Sequence, residues 1–162
     1  MNTDIRLVNR NEAPIVHKLM LEAFEEYRNL EVPSSALNES VETLLNVFIN
    51  GSEEALLCFI DGEPLGSLRF TIRDDSVYFS RLSVPPHARG KGIAKALLLW
   101  LEKYAIKNGK MKMECRVRTL LSKNISLYEG MGYIISKEEV VTNPNGQSVK
   151  TVVMEKHLDF SR

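Results

Sequence analysis

The sequence lacks several features that would assign it to particular classes of protein. Its 162 residues include only two cysteines, Cys58 and Cys115, and a single tryptophan. Because each cysteine stands inside a strand-like run, we expect two reduced core thiols rather than a disulfide framework. No apolar run reaches the ~20 residues that cross a bilayer, and the N-terminus has no apolar signal-peptide segment. These absences predict a cytoplasmic protein that does not bind membranes.

The chain also lacks an excess of charge. Lys and Arg total 21 and Asp and Glu total 21, so the formal net charge is zero. This balance argues against a polybasic nucleic-acid binder, whose affinity would depend on surplus cations. The hydrophobic fraction of 44% and charged fraction of 26% are typical of a globular protein, and they exclude disordered and fibrous classes. A mass of 18.4 kDa without linkers or repeats predicts one domain, residues 1–162.

A metal site is not indicated by the sequence. The three histidines, His17, His87 and His157, are far apart and have no Cys, Asp or Glu at ligand spacing. We therefore predict no bound metal.

Hydrophobic periodicity predicts the element order β-α-α-β-β-β-α-β-α-β-β. Strands are expected at 5–8, 55–60, 65–72, 76–84, 112–117, 133–141 and 148–154, and helices at about 11–28, 38–50, 93–108 and 121–131, with Asn38 as N-cap of the second helix. Hairpin turns favour antiparallel pairing, whereas the helix at 93–108 should connect two parallel strands. The predicted fold is therefore α+β, with a mixed, mostly antiparallel sheet flanked by helices.

The most informative segment runs from residue 81 to 95, RLSVPPHARGKGIAK. A strand ends before two prolines, and a loop containing Gly90 and Gly92 opens directly into the longest predicted helix. Unpaired backbone N–H groups and the helix dipole at such a terminus bind anions, and nearby lysines and arginines add positive charge. The pattern departs from both the Walker P-loop and the G-x-G-x-x-G dinucleotide fingerprint. It predicts a phosphate or pyrophosphate site of another kind.

Two motifs in this chain resemble those of the GCN5-related N-acetyltransferases, the GNAT superfamily. The run from Arg89 to Ala94, RGKGIA, matches the signature R/Q-x-x-G-x-G/A, and RLSVP before it is similar to the strand that precedes it there. The run from Asn124 to Tyr133, NISLYEGMGY, resembles the N-x-x-x-Y-x-x-x-G-F/Y motif. The two motifs occur in the family's order, and the resemblance extends over nearly the whole chain.

The resemblance implies acetyl-CoA as co-substrate and assigns residues to it. Main-chain groups of Leu82 and Val84 would pair with the pantetheine arm, in a wedge between this strand and that at 112–117, and Asn124 would contact the same arm. Backbone amides of the loop and first helical turn would bind the pyrophosphate: Arg89, Gly90, Lys91, Gly92, Ile93, Ala94 and Lys95.

The same resemblance implies a chemical role for Tyr128, the predicted catalytic residue. An amine attacks the thioester, a backbone N–H near Val84 stabilises the oxyanion, and a tyrosine with an ordinary pKa of about 10 protonates the departing thiolate. Taken alone, Tyr128 is better explained as an aromatic core residue beside Leu127 and Met131, and the acid role is favoured only because it stands within the matched motif. Asn124 could likewise be a first-turn or capping residue. Leu121 departs from the family, because many members carry an Asn near this position.

The general base is not identified by either motif. The strand at 76–84 contains no carboxylate, whereas many relatives carry a Glu there. Glu26 and Glu31, in the helical arm that lines the acceptor cleft of this family, are candidates, as is a chain of water molecules. For each glutamate, a solvated helix face is the favoured interpretation.

Four other residues could also contribute to the site. Tyr78 or Arg81 could face the cleft, but strand alternation alone does not decide which. Arg116 and Arg118 share one strand face and could meet a substrate carboxylate or a CoA phosphate, or simply face solvent.

Charge is distributed unevenly along the chain. Residues 81–123 contain eleven Lys or Arg and two acidic residues, whereas residues 1–80 contain six basic and fourteen acidic residues. The basic centre coincides with the predicted phosphate site, and the acidic arm would suit a cationic amine.

We therefore expect an N-acetyltransferase that acts on a primary amine, as a monomer or homodimer. The alternative is a catalytically silent acyl-CoA-binding sensor with the same fold. A nucleic-acid module is disfavoured, because the chain has no aromatic platform and no recognition motif.

Overall fold

The computed structural model describes residues 2–143 and 145–159. Its elements follow the predicted order. The strands are β1 (Thr3–Leu7), β2 (Glu54–Ile60), β3 (Glu63–Ile72), β4 (Ser76–Ser83), β5 (Lys112–Arg118), β6 (Ile134–Thr142) and β7 (Ser148–His157). The α-helices are α1 (Ala13–Phe24), α2 (Val41–Ile49), α3 (Ile93–Lys107) and α4 (Ser122–Gly130). Short 3-10 helices stand at Arg10–Glu12, Glu25–Tyr27, Ser35–Asn38 and Pro86–Ala88.

The strands form a seven-stranded sheet in the order β1-β2-β3-β4-β5-β7-β6. The pairs β1–β2, β2–β3, β5–β7 and β6–β7 are antiparallel, whereas β4 and β5 are parallel over Ser76–Tyr78. This confirms the α+β fold with a mixed, mostly antiparallel sheet. The parallel pair is the one whose strands are connected by α3, as right-handed crossover geometry requires.

Contacts divide the described chain into two compact units. The first contains residues 2–71 and 79–101, and the second contains residues 72–78, 102–143 and 145–159. Both β4 and α3 therefore contribute residues to each unit.

The first unit is built on an apolar face of α1 that packs against α2 and β2. Ala13, Val16 and Leu19 recur at helical spacing on α1, and they meet Leu44 of α2 and Leu57 of β2. Burial of each large side chain contributes about 1.5–3 kcal/mol. This packing holds α1 against α2 and β2.

A buried ion cluster also stabilises the first unit. The Arg69 side chain of β3 is only 4% exposed, and its guanidinium lies 2.5 Å from Glu39 and 2.8 Å from Glu53. Burial alone would disfavour its charge, but the hydrogen bonds that Arg69 donates to the two carboxylates more than offset this and raise the pKa of Arg69 above its ordinary value.

The second unit contains a buried cluster in which a carboxylate, rather than a guanidinium, is the central group. Glu102 of α3 accepts a hydrogen bond from the Tyr133 hydroxyl at 3.0 Å and another from Lys156 of β7 at 2.8 Å. Burial, together with the nearby Glu102 carboxylate, raises the pKa of Tyr133. The cluster therefore connects α3, β7 and the residue before β6.

Several predicted boundaries differ from the structure. Helix α1 ends at Phe24 rather than near Arg28, because the backbone tightens into the 3-10 turn Glu25–Tyr27. Ser40, not Asn38, caps α2: its hydroxyl accepts the Thr43 amide, whereas Asn38 ends the preceding 3-10 helix.

The strand boundaries differ less. Strand β1 begins two residues earlier than predicted, and β7 continues three residues further to His157. The predicted turn at 143–146 includes Pro144, which lies outside the described residues.

Both cysteines are free and buried, as predicted. Burial raises the pKa of Cys115 to about 12 and raises that of Cys58 in the same direction. Among the described residues, no helix is long and apolar enough to cross a membrane.

Candidate active site

The anion-binding geometry predicted for the glycine-rich loop is present in the first unit. Gly90 and Gly92 have φ of +82° and +78°, a backbone conformation that residues with a Cβ rarely adopt. Helix α3 starts directly after them, and its first intrahelical bond runs from the Ala96 amide to the Gly92 carbonyl at 3.0 Å. The amides of Ile93, Ala94 and Lys95 precede that bond, so they have no acceptor within the helix. Lys91 and Lys95 are exposed beside them.

The start of α3 is fixed in place by a close approach to β3. A Cβ at Gly66 would lie 2.4 Å from Ile93 Cγ2 and 3.2 Å from Leu97 Cδ1. Only glycine allows this separation, so Gly66 brings the first turn of α3 onto the strand. Ile93 is therefore buried by packing, while its amide remains at the helix terminus.

Strand β4 changes direction just before the loop. Arg81 has φ of +51°, which is a strained conformation for a residue other than glycine, and the Ser83 hydroxyl donates to the Arg81 carbonyl at 2.9 Å. The kink interrupts the regular pleat next to Leu82. Val84 lies beyond the end of the strand, one residue later than β4 extends.

The Arg89 side chain binds protein groups. Its Nε donates to the Val84 carbonyl at 3.0 Å, and its Nη2 donates to the Ala23 carbonyl at 3.3 Å and to Glu26 at 2.7 Å. Its backbone amide donates to the Pro86 carbonyl at 3.3 Å, closing a 3-10 turn. This differs from the expectation that the Arg89 amide belongs to the pyrophosphate cradle, because that amide already has an acceptor.

The candidate bases have different surroundings. Glu26 is the partner of Arg89, and both side chains are about two-fifths exposed, at 43% and 42%. Glu31 is exposed. Arg81 donates to the Ser35 hydroxyl at 3.3 Å, so it contacts the segment that follows α1.

Ion pairs within the first unit engage at least six of the fourteen acidic residues of residues 1–80: Glu12, Glu22, Glu25, Glu26, Glu39 and Glu53. All but Glu26 pair with cations that also lie within residues 1–80. The net charge of this region already counts those cations, so the region keeps its acidic excess.

Tyr128 and Asn124 lie on α4 in the second unit. Asn124 is in the first turn, and its amide donates to the Leu121 carbonyl at 3.1 Å. Tyr128 is buried, and its carbonyl accepts the Met131 and Tyr133 amides, both at 3.0 Å. Helix α4 ends at Gly130, and Gly132, with φ +97°, completes a Schellman motif two residues later. The four-residue spacing between Tyr128 and Gly132 in the second motif is therefore also the spacing that this type of helix C-terminus requires.

The cluster beside Tyr128 was not predicted from the sequence. The Tyr128 and Tyr133 rings lie 5.9 Å apart, and Tyr133 in turn donates to Glu102. One signal could have found it, because Glu102 is one of only two acidic residues between positions 81 and 123. A lone carboxylate within an apolar helix indicates a buried partner.

The remaining candidates all have protein contacts. The Arg73 guanidinium lies over the Tyr78 ring, 4.3 Å from its centre. Arg116 pairs with Glu139, and burial lowers the pKa of Arg118. Among the described residues, no three His, Cys, Asp or Glu side chains are grouped as metal ligands.

Comparison with known proteins identifies relatives of the fold. A family model described as acetyltransferase (GNAT) family matches residues 16–133. A comparison with curated proteins found no match.

Three solved structures illustrate the similarity in fold. PaiA N-acetyltransferase from Thermoplasma acidophilum, in complex with coenzyme A, is 22% identical, with a TM-score of 0.75 over 97% of this chain and 99% of that one. The protein yncA from Salmonella typhimurium, solved with its cofactor acetyl-CoA, is 19% identical, with a TM-score of 0.77 over 98% of this chain and 95% of that one. Ribosomal-protein-S18-alanine N-acetyltransferase from Escherichia coli is 16% identical, with a TM-score of 0.74 over 98% and 95%.

Proposed function

The chain belongs to the GNAT family of acetyltransferases, and from that premise we propose that it transfers an acetyl group from acetyl-CoA to a primary amine. The observation that carries this proposal is the start of α3. Two glycines at positive φ precede a helix whose first amides have no intrahelical acceptor, with two exposed lysines beside them. This arrangement fits a pyrophosphate, and two structures of the same fold were solved with CoA or acetyl-CoA.

The proposed cofactor-binding set is narrower than the sequence suggested. Amides and lysines of the loop and first turn would bind the pyrophosphate: Gly90, Lys91, Gly92, Ile93, Ala94 and Lys95. Main-chain groups of Leu82 and Val84 would bind the pantetheine arm, because the kink at Arg81 interrupts the pleat beside them. Asn124 would contact the same arm.

The proposed reaction is a direct attack. The amine nitrogen bonds to the thioester carbonyl carbon, and a backbone N–H at Val84 stabilises the oxyanion. The C–S bond then breaks, and the thiolate takes the hydroxyl proton of Tyr128. The proton released by the amine passes to Glu31 or to water, because Glu26 is already paired with Arg89.

The acceptor proposed is a primary amine on a small molecule or a peptide. The acidic excess of residues 1–80, fourteen acidic against six basic residues, would favour an amine that carries positive charge. We further propose a cytoplasmic location, where buried free thiols such as Cys58 and Cys115 stay reduced.

Thiol release from acetyl-CoA, measured over a panel of amines, tests the proposal. The panel should contain a polyamine, an amino acid ester and a peptide with a free N-terminal alanine. We expect release that depends on the amine. Release that is independent of every amine, or none at all, would contradict acetyl transfer, and CoA binding without release would favour the sensor.

The acid role of Tyr128 is tested by Tyr128→Phe. We expect kcat to fall by about 10²- to 10⁴-fold, because the thiolate then leaves without a positioned proton donor. The affinity for CoA, measured by calorimetry, should be unchanged. The control is Tyr104→Phe on α3, which removes a hydroxyl elsewhere. An unchanged kcat in Tyr128→Phe would assign Tyr128 to the core instead.

A further inference from the structure

Arg89 begins the glycine signature, yet its side chain turns back onto the protein. Three of its five N–H donors have protein acceptors: the carbonyls of Val84 and Ala23 and the carboxylate of Glu26. Two of these acceptors lie more than sixty positions earlier in the chain. The residue therefore connects two distant segments of the first unit.

The acceptors of Arg89 identify what it connects. Ala23 lies in the last turn of α1, where carbonyls lack helical partners and a cation is favoured by the helix dipole. Glu26 lies in the 3-10 turn that follows. Val84 lies just beyond the end of β4. One guanidinium thus fixes the end of α1 to the end of β4.

A second arginine holds the same segment further along. Arg81 of β4 donates to the Ser35 hydroxyl at 3.3 Å. The residues between Phe24 and Ser35 are therefore fixed at both ends to the terminal part of β4. The family resemblance implies that this segment lines the acceptor cleft, whereas Lys91 and Lys95 would lie on the phosphate side.

We infer that Arg89 is a positioning residue for the amine acceptor rather than a ligand of the cofactor phosphates. The inference rests on the proposed acetyl transfer. Arg89 acts through Val84 and Glu26. Its hydrogen bond to the Val84 carbonyl orients the peptide next to the proposed oxyanion donor. Its contacts with Ala23 and Glu26 order the segment after α1. Loss of this arrangement misplaces the amine relative to the thioester and leaves the pyrophosphate cradle intact.

Kinetics of matched variants separate the two roles. For Arg89→Gln we expect kcat/KM for the amine to fall by about 10²-fold, because a shift of 1 Å costs this much in positioning. The Kd for CoA should stay within about twofold. Arg89→Lys retains the charge but lacks the planar fork, so it should restore little activity.

Lys91→Gln is the matched control, because it removes a neighbouring cation on the proposed phosphate side. We expect the opposite pattern: weaker CoA binding with a smaller salt dependence, and a nearly unchanged KM for the amine. If Arg89→Gln weakens CoA binding as much as Lys91→Gln does, Arg89 is a phosphate ligand and the inference is wrong.

Hydrogen exchange gives a readout that does not require turnover. Arg89→Gln and Glu26→Gln should both accelerate amide exchange in peptides covering 20–38, and neither should affect peptides covering 149–157. Unchanged exchange in 20–38 would overturn the inference. If the wild type releases no thiol with any amine, the proposed function fails, while exchange and CoA titration still decide what Arg89 does.

Discussion

Two arginines of the first unit bind glutamates in different surroundings. Arg69 lies on a central strand, is 4% exposed and holds two carboxylates. Arg89 lies on a loop, is 42% exposed and holds one carboxylate and two carbonyls. Water can replace the partners of Arg89 but not those of Arg69. The same side chain therefore stabilises the fold in one place and orders a segment in the other.

The largest effect should come from removing the buried cation. Arg69→Met leaves Glu39 and Glu53 partly buried without a counter-charge, so we expect the free energy of unfolding to fall by about 3 kcal/mol. Urea denaturation measures this loss. The control is the triple variant R69M/E39Q/E53Q, which removes both charges as well and should recover much of it. A loss below about 1 kcal/mol would show that water reaches the cluster.

An intermediate effect on the free energy of unfolding should come from ionising the buried Cys115 thiol, which has no counter-charge. Cys115 has a pKa of about 12 in the folded state, against an ordinary value of 9.0. The folded protein therefore holds this proton more tightly than the unfolded chain. The resulting stabilisation is complete below pH 9 and is lost as the pH rises toward 12, at about 1.4 kcal/mol per pH unit.

The Cys115 effect is measured by urea denaturation between pH 8 and pH 10.5. Cys115→Ala should show a shallower decline with pH, because it has no thiol to ionise. The pKa of Tyr133 is also raised, mainly by burial and in small part by Cys115, so its contribution falls slightly in Cys115→Ala and adds to the same difference in slope. Identical slopes in the two proteins would mean that water reaches the thiol.

The smallest effect on stability should come from Arg89. Because its partners are accessible to water, Arg89→Gln should lower the free energy of unfolding by less than about 1 kcal/mol, and less still at high salt. The same urea titration measures it beside Arg69→Met. A loss as large as that of Arg69→Met would remove the contrast between the two arginines and make Arg89 a structural residue.

The sequence predicted the element order and the fold because both depend on local periodicity. The continuous apolar run of β2 and the long apolar stripe of α3 are repeated signals, so single errors do not change them. Boundaries were less accurate. Asn38 and Ser40 are both good capping residues, and only the 3-10 turn before α2 decides between them.

The anion-binding loop was predictable for the same reason, because Gly90 and Gly92 stand directly before a helix. The partners of Arg89 were not predictable. Nothing local indicates that a residue of the signature would donate to Ala23 and Glu26, since that contact depends on how α1 packs. The hydrogen bond from Tyr133 to Glu102 was not predictable for the same reason. The only local signal for it is that Glu102 is the one carboxylate within an apolar helix.

Gly66 has a consequence for mutational scanning. It lies on β3, far in sequence from the loop, but any side chain there would collide with Ile93 and displace the start of α3. A screen for activity would therefore score position 66 together with Gly90 and Gly92, as though it contacted the ligand. A parallel screen for protein abundance should be affected most at position 66, because a side chain there collides inside the core, whereas at Gly90 and Gly92 the surrounding space is open and only the positive φ strains a substitution.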